Sequence, residues 1–492
     1  MTTTIQERPD VNNPTPDVVN LACTTAARTY GVADLTPDNY PPPGEYDAVA
    51  RRLIADYFTG SYGTTGRTLA RYRGDWWRWT GPCWEIVPDV DLTAELWRNL
   101  DGQPIEEQDN GEETWLLNKR RMEEVKFALE QVVALDSRRE APFWIDGRSP
   151  GVLIGASNGL FDPATREITD LTPDYFNTWA LPFAHVPGAK CPTWDAHLQR
   201  TLGHDPRAID ALQQFAGYLI SGRRDQQKGL MIIGMSGTGK GVTTRAMSAL
   251  MGDDNTESTT VDALGSRFGL WPLIGKPFVV LPDARMDGTM KASALSTVLQ
   301  VIGNDKMTVD RKGQSVWSGY LPARFMWVSN QMPNVRDDSG AFWRRWVVIR
   351  MDKIIAAGEV DRELDDKIAR EMPGVLNWAL DGADALAEQG VFTEPSGQLA
   401  FLQDAKATAS PVSVFLSDEF TVTGDEEDAL LMTEVRARFE SWTLANGYES
   451  WNRETFQRKV NECELPVTAK HTRRGGRGST EKKDRWVFGI TH

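Results

Sequence analysis

The run Gly229–Met251 reads GLMIIGMSGTGKGVTTRAMSALM, and it decides the fold. Five apolar residues of strand length lead into a glycine-rich turn, and a helical pattern opens at its lysine. GMSGTGK fits G-x-x-x-x-G-K in the strand–loop–helix setting that this pattern requires. Glycines let backbone N–H groups converge on phosphate oxygens, and the following helix N-terminus adds positive potential. Gly234, Ser236, Gly237, Thr238, Gly239, Lys240, Gly241 and Val242 are therefore the candidate nucleotide contacts, with Lys240 neutralising the β- and γ-phosphates of ATP. One position departs from the pattern. Gly241 stands where a Ser or Thr usually holds Mg2+. Thr243 and Thr244 follow, but a hydroxyl two or three places on need not reach the same ligand position.

Outward from the loop, apolar runs of strand length alternate with helical stretches to about Met351, which predicts an α/β sheet of buried strands. KPFVVLPDAR ends such a run at Asp283, the form of an acid that holds magnesium directly or through water. No second carboxylate adjoins Asp283, and Asp287 is only a weak candidate for the base. ARFMWVSNQMP sets Asn330 after a third run, where an amide can orient the attacking water or sense the γ-phosphate. GAFWRRWVVIR places Arg344 and Arg345 before a fourth. Either can stabilise a neighbour's transition state in trans; either can also be a surface ion pair. The candidate catalytic set is thus Lys240, Asp283, Asn330, Arg345 and Arg344, with Asp283 as metal ligand.

The 492 residues exceed one ordinary domain. Four divisions are expected: a disordered, polar leader over 1–43, a mainly helical N-terminal domain over 44–221, the motor over 222–405 and a last module over 406–492. No stretch approaches the ~20 apolar residues of a membrane span, and the first residues lack the apolar core of a secretory signal. A cytosolic residence is expected. Four scattered cysteines read as reduced thiols and not as a zinc site. The net charge of −15 argues against a protein that coats nucleic acid non-specifically, so the clustering of basic residues matters more than their number.

They cluster at the C-terminus. VTAKHTRRGGRGSTEKKDRWVFGI follows two helical patterns in the order of a winged helix. Its Arg473, Arg474, Arg477, Lys482 and Lys483, with Lys470 and Arg485, concentrate positive charge suited to a phosphate backbone. Earlier, LARYRGDWWRWTGPCWEIV reads as a β-hairpin with an aromatic face and a turn at Thr80–Pro82. Its tryptophans beside Arg71, Arg73 and Arg78 can stack on bases, but such a stripe is more often the core of a small domain.

These motifs resemble superfamily 3 helicases, in particular the phage and plasmid primase-helicase family with a poxvirus-type NTPase. NGLFD (Asn158–Asp162), CPTWDAHL and LQQFAGYLISG look like the helical domain preceding the motor. GNDKMTVDRK is similar to a family motif that forms a channel hairpin. The resemblance implies that Arg311 and Lys312 contact single-stranded DNA, that Asn330 is the sensor and that Arg345 is the arginine finger. It implies an AAA+-like phosphate-loop core and a homo-oligomeric ring, usually a hexamer. It also implies translocation on one strand, unwinding of forked DNA with ATP and Mg2+, and residence in a bacterial host's cytoplasm. A polar leader too short for a primase–polymerase domain predicts that primase and polymerase are separate partners. Two other readings stay open. Gly241 fits an ATP-assembled initiator or loader that does not unwind, and the GKG form also occurs in small-nucleotide kinases, which would explain neither the Asn330–Arg345 series nor the basic wing.

Overall fold

Alternation along the apolar runs builds the centre of the protein. In the computed structural model the strands β9 (Gly229–Ile233), β10 (Thr256–Ser258), β11 (Phe278–Leu281), β14 (Arg324–Ser329) and β15 (Trp346–Arg350) form one parallel sheet, in the order β10-β11-β14-β9-β15. Successive side chains point to opposite faces. Leu230, Ile232, Phe278, Val280, Met326, Val347 and Ile349 therefore enter one core, while Met231, Ile233, Val279, Leu281, Phe325, Trp327, Trp346 and Val348 enter the other. A sheet buried on both faces reads as unbroken apolar runs, which is why the sequence showed strands without alternation.

The structure describes residues 39–60, 66–106, 113–148, 151–282, 290–333, 335, 340–398, 401, 411–446, 451–463, 465–472 and 484–492. Among these, no helix is long and apolar enough to cross a membrane.

Three helices and a small antiparallel sheet make the first unit: α1 (Tyr46–Tyr57), β1 (Leu69–Tyr72), β2 (Asp75–Trp79), β3 (Trp84–Val87), α2 (Asp89–Leu100) and α3 (Lys119–Val133). The sheet has three strands where a hairpin was expected. The extra turn is at Arg73–Gly74, with φ of 50° and 84°, the double positive φ of a tight hairpin turn. Short strands follow, β4 (Phe143–Trp144), β5 (Ile154–Ala156), β6 (Gly159–Phe161), β7 (Ile168–Thr169) and β8 (Tyr175–Phe176).

Next come α4 (Pro192–Leu202) and α5 (Pro206–Ile220), where α5 is capped by Asp205 accepting from the Ala208 N–H at 3.3 Å. The sequence reading set both helices in the unit before the motor. Their apolar faces instead share one continuous core with the sheet, with α6 (Lys240–Met251) and with α10 (Met372–Gln389). Helices α5 and α10 meet backbone to backbone. A Cβ on Gly217 would lie 2.2 Å from the Ala383 nitrogen, and one on Gly382 would lie 2.2 Å from the Gln213 carbonyl. On the other face lie α7 (Val261–Leu264) and α8 (Ala292–Gly303), then the hairpin of β12 (Met307–Val309) and β13 (Trp317–Gly319). After the sheet, α9 (Leu364–Arg370) precedes α10, which ends at Gly390 with φ 77°.

The C-terminal unit has its own core. Helices Pro411–Glu419, Met432–Ala445 and Arg453–Glu462 pack with an antiparallel sheet of β17 (Ala429–Leu431), β19 (Asp484–Phe488) and β18 (Thr468–Thr472).

Candidate functional site

The loop leaves β9 at the C-terminal end of the sheet, where β14 lies beside it. The Gly234 N–H donates to the Ser329 carbonyl at 3.2 Å, so the residue after β14 lands against the loop. Gly237 and Gly239 have φ of 81° and 95°, left-handed values that a side chain disfavours. Gly239 directly precedes α6, whose first N–H groups receive no side-chain cap; helix N-termini of this kind attract anions. Thr238 is buried and its hydroxyl donates to the Met235 carbonyl at 2.9 Å, while Ser236 and Gly241 are exposed and Val242 packs on the core.

Lys240 is only 8% exposed. Its ammonium donates to the Gly234 carbonyl, to the Met235 carbonyl at 2.7 Å and to Asn330 Oδ1 at 3.1 Å. The structure thus brings together Lys240 and Asn330, ninety residues apart in the chain. A buried ammonium needs oxygen ligands, and phosphate oxygens are of the kind that can replace the loop carbonyls.

Beneath the loop stands a residue that sequence reasoning missed. His197 of α4 is buried, its Nε2 is 3.0 Å from Thr243 Oγ1, and its Cε1 lies 3.0 Å from where a Gly239 Cβ would be. Its ring stacks with Trp194 at 5.7 Å. Burial lowers its pKa to about 4, with Asp365 opposing and Arg200 adding to the shift, so the imidazole is neutral near pH 7. The sequence signal was a Trp-x-x-His spacing on one helix face, visible in CPTWDAHL but indistinguishable there from ordinary packing. The same contact answers the Gly241 question in part. Thr243 is turned to His197, and the Thr244 hydroxyl donates to the Lys240 carbonyl at 2.8 Å. Both hydroxyls are thus engaged within the protein, and among the described residues no group of three His, Cys, Asp or Glu is placed to hold a metal ion. Asp283 and Asp287 lie outside the described residues.

Arg344 and Arg345 are at the other end of the sheet. β15 runs parallel to β9 with Trp346 opposite Gly229 and Arg350 opposite Ile233. Arg345 therefore precedes the strand's start, a strand length of about 16 Å from the loop's end. It cannot reach the loop of its own chain. Gln227 accepts from its guanidinium, and Lys228 donates to the Arg344 carbonyl. Gln227 and Lys228, just ahead of β9, thus hold this corner.

Arg311 corrects the expectation drawn from the resemblance. It is not displayed to solvent: its side chain is 4% exposed and donates to both oxygens of Asp75 at 3.0 and 2.8 Å. The ion pair docks the β12–β13 hairpin on the Trp-rich sheet, and Lys312 next to it is exposed. The sheet's aromatic stripe is itself core. Trp76, Trp77 and Trp84 are buried, and Arg71, Arg73 and Arg78 pair with Glu130, Glu140 and Glu95. At the C-terminus, Lys470 and Arg485 sit on β18 and β19, Lys470 paired with Glu426 at 3.1 Å. Arg473, Arg474, Arg477, Lys482 and Lys483 lie outside the described residues.

Two family models match the chain. Residues 53–203 match "D5 N terminal like", and residues 232–345 match a family of unknown function, DUF5906. Both are typical of phage and plasmid primase-helicase proteins. Over 129 residues the chain is 24% identical to the uncharacterized mitochondrial protein ymf21 of Marchantia polymorpha, which is 24% of this chain and 72% of that protein. Among solved structures, an A form of the apo NrS-1 C terminal region has a TM-score of 0.45 at 12% identity, covering 86% of this chain and 97% of that one. An apo structure of the NrS-1 C terminal region (305-718) scores 0.46 at 12% identity, covering 86% and 96%. Both likenesses are distant.

Proposed function

We propose that the chain is an ATP-hydrolysing DNA motor of phage or plasmid replication, a ring-forming helicase with an AAA+-like phosphate-loop core and a C-terminal winged helix. The observation that carries this reading is the meeting of Lys240 with Asn330 at 3.1 Å, at the C-terminal ends of two adjacent parallel strands. That is the place where a γ-phosphate and its attacking water are handled: the lysine neutralises phosphate charge and the amide orients water. The strand order supports the core assignment, because the loop strand β9 lies between β15 and β14. Arg345, fixed at the opposite end of the sheet and out of reach of its own chain's loop, is placed as a residue acting on a neighbour's nucleotide would be. Asp283 would hold Mg2+, which when bound shields phosphate charge. Lys312 and the basic segment at 473–483 would follow DNA phosphates.

One observation favours a second reading. Thr243 and Thr244 are both engaged away from the Gly241 position, which fits weak metal coordination and an initiator or loader whose ATP assembles the ring without unwinding. DNA-stimulated ATPase and strand displacement, measured together, separate the two. The motor reading expects both activities, and both lost in Lys240→Ala. Full hydrolysis in that variant would sink the phosphate-loop reading, and ring assembly with ATP but no displacement would favour the loader.

A further inference from the structure

At the end of the sheet away from the loop, between the Trp-rich sheet and the start of β14, lies a cavity of about 270 Å3. Its lining has two kinds of side chain. Trp77, Trp179, Trp317 and Tyr320 contribute aromatic rings, Trp77 and Trp317 being mostly buried, and Arg224 and Arg324 contribute guanidinium groups. The charges there do not balance. Asp75 is taken by Arg311 and Glu140 by Arg73. Arg324 is buried; it donates to the carbonyls of Pro322 and Arg223 and lies over the Tyr218 ring, with which it also interacts through the phenol oxygen. Arg224 donates to Asn304 Oδ1 at 3.4 Å. Among the described residues neither arginine forms an ion pair with a carboxylate, and the nearby Asp225 is held by Arg223. Burial lowers the pKa of both, with Glu140 opposing the shift at Arg224 and Tyr218 and Asp225 opposing it at Arg324.

A desolvated cation without a counter-charge costs several kcal/mol, and an anion placed beside it recovers that energy. Guanidinium groups fit phosphate oxygens in a fork, and aromatic faces stack on bases with little regard to sequence. The volume falls just under the roughly 300–1,000 Å3 of small-molecule sites. We propose that this cavity is a nucleotide site, distinct from the Lys240 loop, in which Arg224 and Arg324 hold a phosphate and the tryptophans stack on the base. The occupant is either a free nucleoside monophosphate or the phosphorylated end of a DNA strand.

Full-length protein is titrated with a tetranucleotide carrying a 5′-phosphate and 2-aminopurine at its first position, in EDTA, with the unphosphorylated strand and dAMP as competitors. Binding with quenched 2-aminopurine fluorescence is expected. Arg224→Ala should weaken it by about tenfold or more, as expected for one lost charge-assisted hydrogen bond, with a smaller loss in Arg224→Lys. Tyr320→Ala should reduce the quench, and Lys240→Ala should bind as wild type, which separates this site from the loop. Displacement by dAMP identifies the free nucleotide as occupant; displacement by neither competitor identifies the strand end. Wild-type binding and quench in folded Arg224→Ala and Tyr320→Ala overturn the proposal. So does a folded wild-type protein that binds none of the probes.

Discussion

If Arg311 serves the interface and not the DNA, its removal must act on stability and spare the salt dependence of DNA binding. Its side chain is 4% exposed, Asp75 is 15% exposed, and two hydrogen bonds join them. Arg311→Ala leaves a half-hidden carboxylate without its partner, which costs about 3–5 kcal/mol. Replacing both with apolar residues of similar volume, Arg311→Met with Asp75→Leu, should be about neutral, because neither charge is then stranded. Chemical denaturation of Arg311→Met, of Asp75→Leu and of the double variant closes a double-mutant cycle with wild type. The DNA arm uses the folded double variant. Each phosphate contact on single-stranded DNA contributes about 0.7 to the slope of log K against log salt. The double variant should keep the wild-type slope, while Lys312→Ala should reduce it by about 0.7. A double variant that loses that much slope while remaining as stable as wild type would refute the reasoning and return Arg311 to the DNA.

Three further outcomes are expected. His197 is neutral in the folded chain with its pKa lowered to about 4 from 6.5, so its contribution is present above pH 6.5 and is lost as pH falls toward 4. About 2 kcal/mol should go between pH 7 and pH 5, and denaturation of His197→Gln with an unchanged pH slope would contradict this. Arg345→Ala should bind nucleotide normally yet stop turnover, and doping it into wild type should suppress ATPase more steeply than its fraction; proportional dilution would exclude a trans role. Gly217→Ala places a Cβ 2.2 Å from the Ala383 backbone nitrogen, and a fixed backbone cannot yield as a side chain does. A loss of about 3 kcal/mol is expected, and an unshifted denaturation midpoint would show that α5 and α10 are less closely packed.

Those parts whose geometry is local could be read from neighbouring residues. A strand, a glycine-rich turn and a helix opening at Lys240 follow from neighbouring residues, because positive φ at Gly237 and Gly239 and strand-length apolar runs are properties of short segments. The order of the strands' functional ends followed too, so Asn330 and Arg345 were legible as candidates. Tertiary structure alone decided what those candidates touch. Parallel pairing of β9 with β14 put Asn330 on Lys240, and pairing of β9 with β15 sent Arg345 to the far end. The partners of Arg311 and Thr243 were hidden for the same reason. Asp75 is 236 residues from Arg311, and His197 is 46 from Thr243. A charge in a basic motif looks the same in sequence whether it meets a phosphate or a buried carboxylate, and only the packing of distant segments distinguishes them.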